Sequence, residues 1–358
     1  MSIKTRYTIF TFLRLFLLVS ISFLLLFFFI EIIDNTYSIM KHGGRFTILK
    51  PIYKLPSIFV EISPVITFLS SMFLLGEMLK YGEVRVLEFS GIKPVSILKI
   101  LFVCGFIISG CVFYIKNFSA PFLLRKIEDR KEIEILSFST DRYLLYSEKF
   151  IPPSNFIKIQ FSEILKNGEI ITVNAASAIY LGNRNWLFKK GKLWLFDSTG
   201  HLKNSEDFEN RVLSIMLEPD IIAETSRDIN ELSYKEIRNM MTELKKLNIL
   251  PVYLESAYQE RFAYPLLNMF LLSILVPFFY TKHKISRVFV LGLSIFLSFI
   301  CYGIFSSGLT LAKAGKLPVF LGVWLVHILL FLSVAFYFFL LWRKTKLYII
   351  SVDSTGVE

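Results

Sequence analysis

The chain of 358 residues is 54% hydrophobic and contains 37 phenylalanines, a composition that excludes an ordinary soluble globular protein. Its formal net charge of +11 comes from 40 Lys and Arg against 29 Asp and Glu, and the cations cluster beside apolar runs. This placement suits anionic lipid headgroups and argues against a nucleic-acid partner, which would need one basic soluble face. The sequence therefore predicts an integral membrane protein.

Six apolar runs are long enough to cross a bilayer core of about 30 Å as helices. They are predicted at 8–33, 57–79, 97–117, 262–280, 286–307 and 318–342. The predicted fold is thus a polytopic α-helical membrane protein, with transmembrane helices in 1–117 and 261–346, a soluble insert at 118–260 and a tail at 347–358. All three cysteines lie inside apolar runs without a CxxC motif or a nearby histidine, so we predict no metal site.

The orientation follows from the Lys and Arg residues beside the spans. Segments on the side of the N-terminus carry thirteen of them, and the two short loops on the other side carry six. Because positive charge marks the cytoplasmic side, both termini are predicted to be cytoplasmic and the insert to lie outside.

The insert shows the alternation of half-buried strands at 156–161 and 170–173. In 185–197, two apolar and aromatic runs flank Lys-Lys-Gly-Lys, which predicts a hairpin with its turn at 189–192. A sandwich or jelly-roll-like sheet is therefore favoured over a helical domain. One helix is predicted after the sheet, because Ser233 and Glu236 form a capping box ahead of an apolar stripe at helical spacing.

No catalytic signature is present, since the sequence lacks a phosphate-binding glycine loop, an HExxH motif and a GxSxG elbow. The four histidines are scattered, and for His327 in the last span a helix-packing hydrogen bond is favoured over a proton relay. We therefore predict a non-catalytic chain.

The connection between the second and third spans, 80–94, is amphipathic. Val84, Leu87 and Phe89 are apolar, charged residues lie between them, and Gly91 followed by Pro94 ends the helix. Such a helix could lie on lipid headgroups or insert into a groove of a partner protein.

A second charged stretch follows the third span at 125–132. Its mixed charges are typical of a solvated linker, although basic groups there could also bind lipid phosphates. Glu31 and Glu61 lie near span ends, where they could be interfacial or line a cavity.

The segment from Gly82 to Ile92, Gly-Glu-Val-Arg-Val-Leu-Glu-Phe-Ser-Gly-Ile, is similar to the SELxxLxAxG[IF] segment of the LptF/LptG permeases, with Glu83 and Gly91 at matching positions. These permeases are the transmembrane halves of the lipopolysaccharide-export ABC transporter. The resemblance extends along the whole chain through four shorter stretches: Ser119-Ala-Pro121, Leu217-Glu-Pro-Asp220, Tyr258 to Leu266 and Gly315-Lys-Leu-Pro318. The pair Ile33-Asp34 and the length favour the LptG-like half.

This resemblance implies a periplasmic jelly-roll-like domain and a location in the bacterial inner membrane. It also implies that 80–94 is the coupling helix, and the residues expected to dock on a cytoplasmic ATPase are Glu83, Arg85, Leu87 and Gly91. Family arginines that meet lipid phosphates lack a direct counterpart, and the nearest candidates are Lys41, Arg45, Arg130 and Lys131.

The implied partners are a second permease of the same fold, a dimer of the ATPase, a periplasmic bridge protein and lipopolysaccharide or a related glycolipid. No cofactor is expected in this chain, because ATP and Mg²⁺ would be bound by the ATPase. The predicted function is a permease that extracts the glycolipid from the inner membrane and passes it to the bridge. Two alternatives are a membrane-anchored sensor or scaffold with a periplasmic domain, and an intramembrane enzyme, for which the sequence shows no cluster of acids or histidines.

Overall fold

The structure is a computed structural model that describes residues 3–42, 45–91, 95–127, 133–139, 143–151, 154–165, 167–215, 218–219, 229–246, 251–279 and 287–355. Within these ranges, 3–4, 35–42, 45–50, 133–139, 344–355 and several single positions are described by their backbone alone. The chain divides into two compact units. Residues 1–123 and 256–358 form the helical unit, and residues 124–255 form the sheet unit.

The described helices follow one another along the chain, with short irregular turns inside two of the spans. Before the sheet they are α1 (Ile3–His42), α2 (Arg45–Lys80), α3 (Glu83–Phe89), α4 (Val95–Tyr114), a π-helical turn (Ile115–Ser119) and α5 (Ala120–Ile127). After the sheet they are a 3₁₀ turn (Ile229–Glu231), α6 (Tyr234–Lys246), α7 (Val252–Phe270), a second 3₁₀ turn (Leu271–Leu275), α8 (Val276–Phe279), α9 (Arg287–Lys313) and α10 (Val319–Thr355).

Six helical segments are long and apolar enough to cross a membrane, which confirms the six predicted spans. They are Thr5–Asp34, Pro51–Lys80, Ser96–Lys126, Val252–Phe278, Phe289–Lys313 and Val319–Leu340. The third span is continuous through the π-helical turn, and the fourth is continuous through the second 3₁₀ turn.

The last two spans approach each other at backbone distance. A Cβ atom added to Gly308 of α9 would lie 2.4 Å from the carbonyl oxygen of Gly322 in α10, and one added to Gly322 would lie 2.5 Å from that of Gly308. Only glycine allows this approach, because any side chain would force the helices apart. The two helices therefore form a tightly packed hairpin.

The sheet unit contains six antiparallel strands in the order β1-β2-β3-β4-β5-β6. They are β1 (Ile133–Ser139), β2 (Tyr143–Ile151), β3 (Asn155–Ile164), β4 (Ile170–Gly182), β5 (Asn185–Phe196) and β6 (Leu202–Ser214). The prediction of a β-rich insert is confirmed. Each described strand pairs with its chain neighbours as a meander, and the Greek-key order that defines a jelly roll is not found among these six.

The predicted hairpin at 185–197 is wrong, because β5 is one strand across the predicted turn. Gly191 pairs with Ala175 of β4 on one side and with Phe208 of β6 on the other. A Cβ atom at Gly191 would lie 2.4 Å from the carbonyl oxygen of Asn174, so this glycine serves close strand packing rather than a turn. The real turn lies before β5 at 183–184, where both residues have positive φ, as a tight hairpin turn requires.

The alternation of buried residues shifts at one level of the sheet. Buried residues in these strands otherwise alternate with less buried ones, but here two residues separate one buried residue from the next. The pairs are Ser147 and Phe150 in β2, Phe156 and Ile159 in β3, and Ala175 and Ala178 in β4. Lys158 and Lys190, both with positive φ, lie at the same level in β3 and β5.

Aromatic rings fill part of the buried face of the sheet. Phe150, Phe156 and Trp186 are fully buried. The distance between ring centroids is 4.7 Å from Phe150 to Phe156, 4.9 Å from Phe156 to Trp186 and 5.0 Å from Trp186 to Tyr180. Phe188 and Leu193 of β5 also face this interior. Trp186 has the largest fully buried side chain of the described residues and is the centre of this aromatic core.

The helix α6 begins at the predicted capping box, which is confirmed. The Ser233 backbone N–H donates to the Glu236 carboxylate at 2.8 Å, and the Glu236 N–H reaches the Ser233 hydroxyl at 3.4 Å. Arg125 donates to the same carboxylate and to the Glu231 carbonyl oxygen at 3.1 Å. Partial burial acts to raise the pKa of Glu236, but the hydrogen bonds from Ser233 and Arg125 outweigh it and hold that pKa below its ordinary value.

Candidate functional site

A two-turn helix, α3, lies between the second and third spans, within the stretch 80–94 where a coupling helix is predicted. Its coupling role stays a prediction. Gly82, with φ of 72°, precedes it, and the N–H of Gly91, with φ of 75°, donates to the Glu88 carbonyl oxygen at 2.9 Å. The predicted stop at Gly91 is confirmed, since this left-handed position favours glycine. Pro94 lies outside the described residues.

The helix α3 has one face on the helical core and one face exposed. Val84 is buried and Leu87 packs against the core. Val86 is exposed, and Phe89 has 91% of its surface accessible. An exposed apolar face on such a helix can lie on lipid headgroups or be covered by a partner protein.

The predicted coupling residues occupy different positions on α3. Glu83 begins the helix, and its carboxylate accepts a hydrogen bond from the Tyr7 hydroxyl of α1 at 3.3 Å. Arg85 is exposed, whereas Leu87 is used by the core of this chain. The sequence prediction did not include Val86, although its spacing of three residues from Phe89 places both on one helical face.

The predicted contacts to lipid phosphates fall where side chains are not described. Arg130 and Lys131 lie outside the described residues, and the side chains of Lys41 and Arg45 do as well. This prediction therefore stays a prediction. In the same charged stretch, the described Arg125 is engaged inside the sheet unit by Glu231 and Glu236.

A polar junction lies inside the helical unit, where the first turns of the fourth span meet the end of the third. The Glu260 carboxylate of α7 lies 2.8 Å from the Lys116 Nζ and 3.4 Å from the Lys313 Nζ. The Lys116 ammonium also lies 4.4 Å from the centroid of the Tyr264 ring. Charged groups within a span are costly unless they are paired, so this arrangement compensates their burial.

The π-helical turn explains why Lys116 points into the junction. A π-turn inserts an extra residue into an α-helix, which rotates the following side chains and leaves a backbone carbonyl without its usual partner. The buried Arg261 guanidinium donates to the Lys116 carbonyl oxygen at 2.8 Å. Arg261 therefore satisfies the irregular backbone that places Lys116 opposite Glu260.

Two proline-containing spans meet beside the junction. Pro64 lacks an N–H, so the Val60 carbonyl oxygen of α2 loses its helical donor, and the Ser63 hydroxyl bonds to it at 2.9 Å. The Tyr264 hydroxyl of α7 donates to the neighbouring Glu61 carbonyl oxygen. These bonds satisfy backbone carbonyl oxygens of α2 beside Pro64 inside the bundle.

The same two spans share a buried amide. The Asn268 side chain of α7 accepts a hydrogen bond from the Thr67 hydroxyl at 2.8 Å and donates to the Ser63 hydroxyl at 3.2 Å. Its amide also donates to the Pro265 carbonyl oxygen at 2.9 Å. The fourth span is thus tied to the second by side chains that are fully buried.

The last span contributes two further contacts to α7. The buried His327 ring bonds through Nε2 to the Ala263 carbonyl oxygen at 3.0 Å, which confirms the predicted helix-packing hydrogen bond. The Trp324 indole N–H donates to the Gln259 side chain at 3.2 Å. One stretch of the fourth span, 259–268, therefore contacts the second, third, fifth and sixth spans.

Sequence reasoning did not identify this polar junction. Its available signal was Lys116 inside the apolar run predicted at 97–117, together with the charged pair Glu260-Arg261 at the start of the fourth span. Ionisable residues at such positions face the interior of a bundle. Their pairing required the π-turn, which leaves no recognisable sequence pattern.

A family model described as lipopolysaccharide export system permease LptF/LptG matches residues 6–343. The chain belongs to the LptF/LptG family. The match includes all six spans, the sheet and α3, and it supports the resemblance drawn from the residues of α3. It covers LptF and LptG together, so the preference for LptG stays a prediction. A search of the curated proteins gave no match to this chain.

Proposed function

We propose that this LptF/LptG permease is the membrane subunit of an ABC transporter that extracts lipopolysaccharide or a related glycolipid from the inner membrane and passes it to a periplasmic bridge. The family match over 6–343 carries this proposal. A second permease and an ATPase dimer would complete the transporter, and ATP and Mg²⁺ would be bound by the ATPase. This chain would supply the membrane path, the coupling surface and part of the route out of the membrane.

The exposed face of α3 supports the coupling role. Phe89 and Val86 offer apolar contacts, and Glu83 offers a charge at the rim beside Tyr7. An apolar centre with a polar edge is the usual composition of a protein interface. We propose that this face docks in a groove of the cytoplasmic ATPase.

The sheet unit would accept the lipid after extraction. Exposing acyl chains to water costs about 0.8 kcal/mol per CH₂, so the lipid must move between apolar surfaces. On β5, Trp186, Phe188 and Leu193 are buried in the sheet unit, and the rings of Phe156 and Tyr180 pack against Trp186. Entry of an acyl chain would therefore require these side chains to move.

The cations Lys41, Arg45, Arg130 and Lys131 remain the proposed contacts for the phosphates of the glycolipid. All four precede or follow a span on the side proposed to be periplasmic. Arg and Lys bind phosphate oxygens through strong charge-assisted hydrogen bonds.

The proposed orientation places the sheet unit in the periplasm and both termini in the cytoplasm. A cysteine at the exposed Asn204 of β6, in a chain without its own three cysteines, should react in whole cells with a thiol reagent that cannot cross the inner membrane. A cysteine at Lys344 should react only after the membrane is broken. Reaction at Lys344 and protection at Asn204 in intact cells would contradict the orientation and the export function with it.

Glu83→Lys is the sharpest test of the coupling surface. Reversing this charge should leave the permease inserted but weaken its association with the ATPase by about tenfold or more, because charge reversal opposes the cation that a docking groove would supply. Pull-down of the ATPase and release of lipid per ATP hydrolysed in proteoliposomes measure the effect.

The matched control for this test is Glu88→Lys, which reverses an exposed charge on the same helix away from Tyr7. We expect a smaller loss of ATPase association for this control. Wild-type association and coupling for Glu83→Lys would refute the docking role. If no ATPase purifies with the wild-type permease, the sensor or scaffold becomes the better explanation.

A further inference from the structure

Glu260 faces two lysines that belong to different spans. Its Oε1 atom lies 2.8 Å from Nζ of Lys116 in the third span, and its Oε2 atom lies 3.4 Å from Nζ of Lys313 in the fifth. Each carboxylate oxygen therefore serves a different lysine. The two lysines share one counter-ion.

The two contacts differ in how easily they can be broken. The Lys116 side chain is 11% exposed, its ammonium is packed over the Tyr264 ring, and its own carbonyl oxygen is held by Arg261. The Lys313 side chain is 36% exposed and stands at the last residue of α9. Lys313 can regain hydration when it leaves Glu260, whereas Lys116 would remain buried without a partner.

Lys313 stands at the end of a hairpin whose two helices hold each other. Gly308 and Gly322 lock α9 to α10 at backbone distance, so the two helices form a hairpin with its own packing. Inside the bundle the hairpin is anchored to α7, because His327 of α10 bonds to the Ala263 carbonyl oxygen and Phe305 of α9 packs against the Tyr264 ring. Near Glu260 the end of the hairpin meets α7 through Lys313 and through the hydrogen bond from Trp324 to Gln259. These two polar contacts can part while the buried contacts of the hairpin remain.

We propose that Glu260 is a shared counter-ion that clamps the third and fourth spans together through Lys116 in every state and holds the α9–α10 hairpin through Lys313 in one state only. The Glu260–Lys313 contact then opens and closes with the nucleotide state of the ATPase. This inference rests on the proposed coupling to an ATPase. A nucleotide can shift the transporter between two states only through contacts that differ between them, and this contact is suited to that role.

Paired cysteines beside the junction test which contact separates, because they leave Glu260 and both lysines in place. In a chain whose three cysteines are replaced by alanine, one variant carries Gln259→Cys with Trp324→Cys, and the other carries Phe113→Cys with Phe262→Cys. Each is assembled with the ATPase, and cross-linking by a short bifunctional thiol reagent is compared without nucleotide and after trapping with ATP and vanadate. The yield of the 259–324 cross-link should differ between the two conditions by about fivefold or more, and that of the 113–262 cross-link, between the third and fourth spans, should not change. Equal yields of the 259–324 cross-link in both conditions would overturn the proposal.

Single substitutions keep the test independent of cross-linking. Lys313→Met should leave thermal unfolding of the permease close to wild type but change the lipid released per ATP hydrolysed by about fivefold. The control is Lys316→Met, which removes an exposed lysine three residues away and should change neither value. Wild-type coupling in Lys313→Met would also overturn the proposal. Binding of the ATPase is measured first, so that a missing partner, which refutes the proposed function, is distinguished from a contact that does not open.

Discussion

Lys116→Met is expected to destabilise the helical unit by about 1–3 kcal/mol, because Glu260 loses the closer of its two cations in a largely buried site. The methionine keeps most of the volume of the lysine stem but removes the ammonium that lies 2.8 Å from Glu260. Lys313 compensates only part of the loss, since its ammonium lies farther from the Glu260 carboxylate, at 3.4 Å, and its side chain is more exposed. Thermal unfolding of the purified permease in detergent measures the change.

Two further variants identify the cause of this loss. Lys246→Met removes the cation of an exposed pair with Glu243 on α6 and should have little effect, as exposed pairs contribute about 0–1 kcal/mol. Adding Glu260→Gln to Lys116→Met should recover part of the lost stability, because it removes the uncompensated carboxylate. A melting temperature for Lys116→Met equal to that of Lys246→Met would show that the junction does not stabilise the bundle.

Trp186→Ala is expected to destabilise the sheet unit by about 3–5 kcal/mol, since it empties the centre of the aromatic core. The Trp186 ring is fully buried, with Phe156 at 4.9 Å and Tyr180 at 5.0 Å between ring centroids. The cavity cannot close easily, because the neighbouring strands are held in register by their backbone ladders. Limited proteolysis and amide exchange of the full-length permease, followed at residues 143–215, measure the loss.

The control for this substitution is Leu181→Ala on the neighbouring strand β4, where the side chain is 56% exposed. We expect protection from proteolysis and amide exchange close to wild type for this control, because the substitution removes little buried apolar surface. The helical unit should keep its protection in both variants if the two units unfold separately. Equal protection of the sheet in Trp186→Ala and in wild type would contradict the assigned core.

The features that depend on local sequence patterns were predicted most reliably. The capping box of Ser233 and Glu236 was predicted correctly because both partners lie within one helical turn. The stop at Gly91 was predicted correctly for the same reason, since it depends on the conformation of one residue. The six spans follow from run length and hydropathy, which need no tertiary contact.

The predicted hairpin shows where local patterns fail. A glycine between lysines is a common turn signal, but Gly191 lies in the middle of β5 because two neighbouring strands approach it closely. The turn instead formed at Asn183 and Arg184, which sequence reasoning did not consider. The pairing of the whole sheet decides which of two candidate positions forms the turn.

By itself the sequence determined that this is a six-span membrane protein with a β-rich insert and a short amphipathic connecting helix, because each of these features depends on hydropathy and periodicity along the chain. The tertiary structure alone decided the polar junction. Lys116 lies in the π-helical turn of the third span and Glu260 lies 144 residues later in the fourth, so only the packing of the two spans brings them together. Buried charges must find partners wherever the fold brings them, so such pairs are a property of packing rather than of any local pattern.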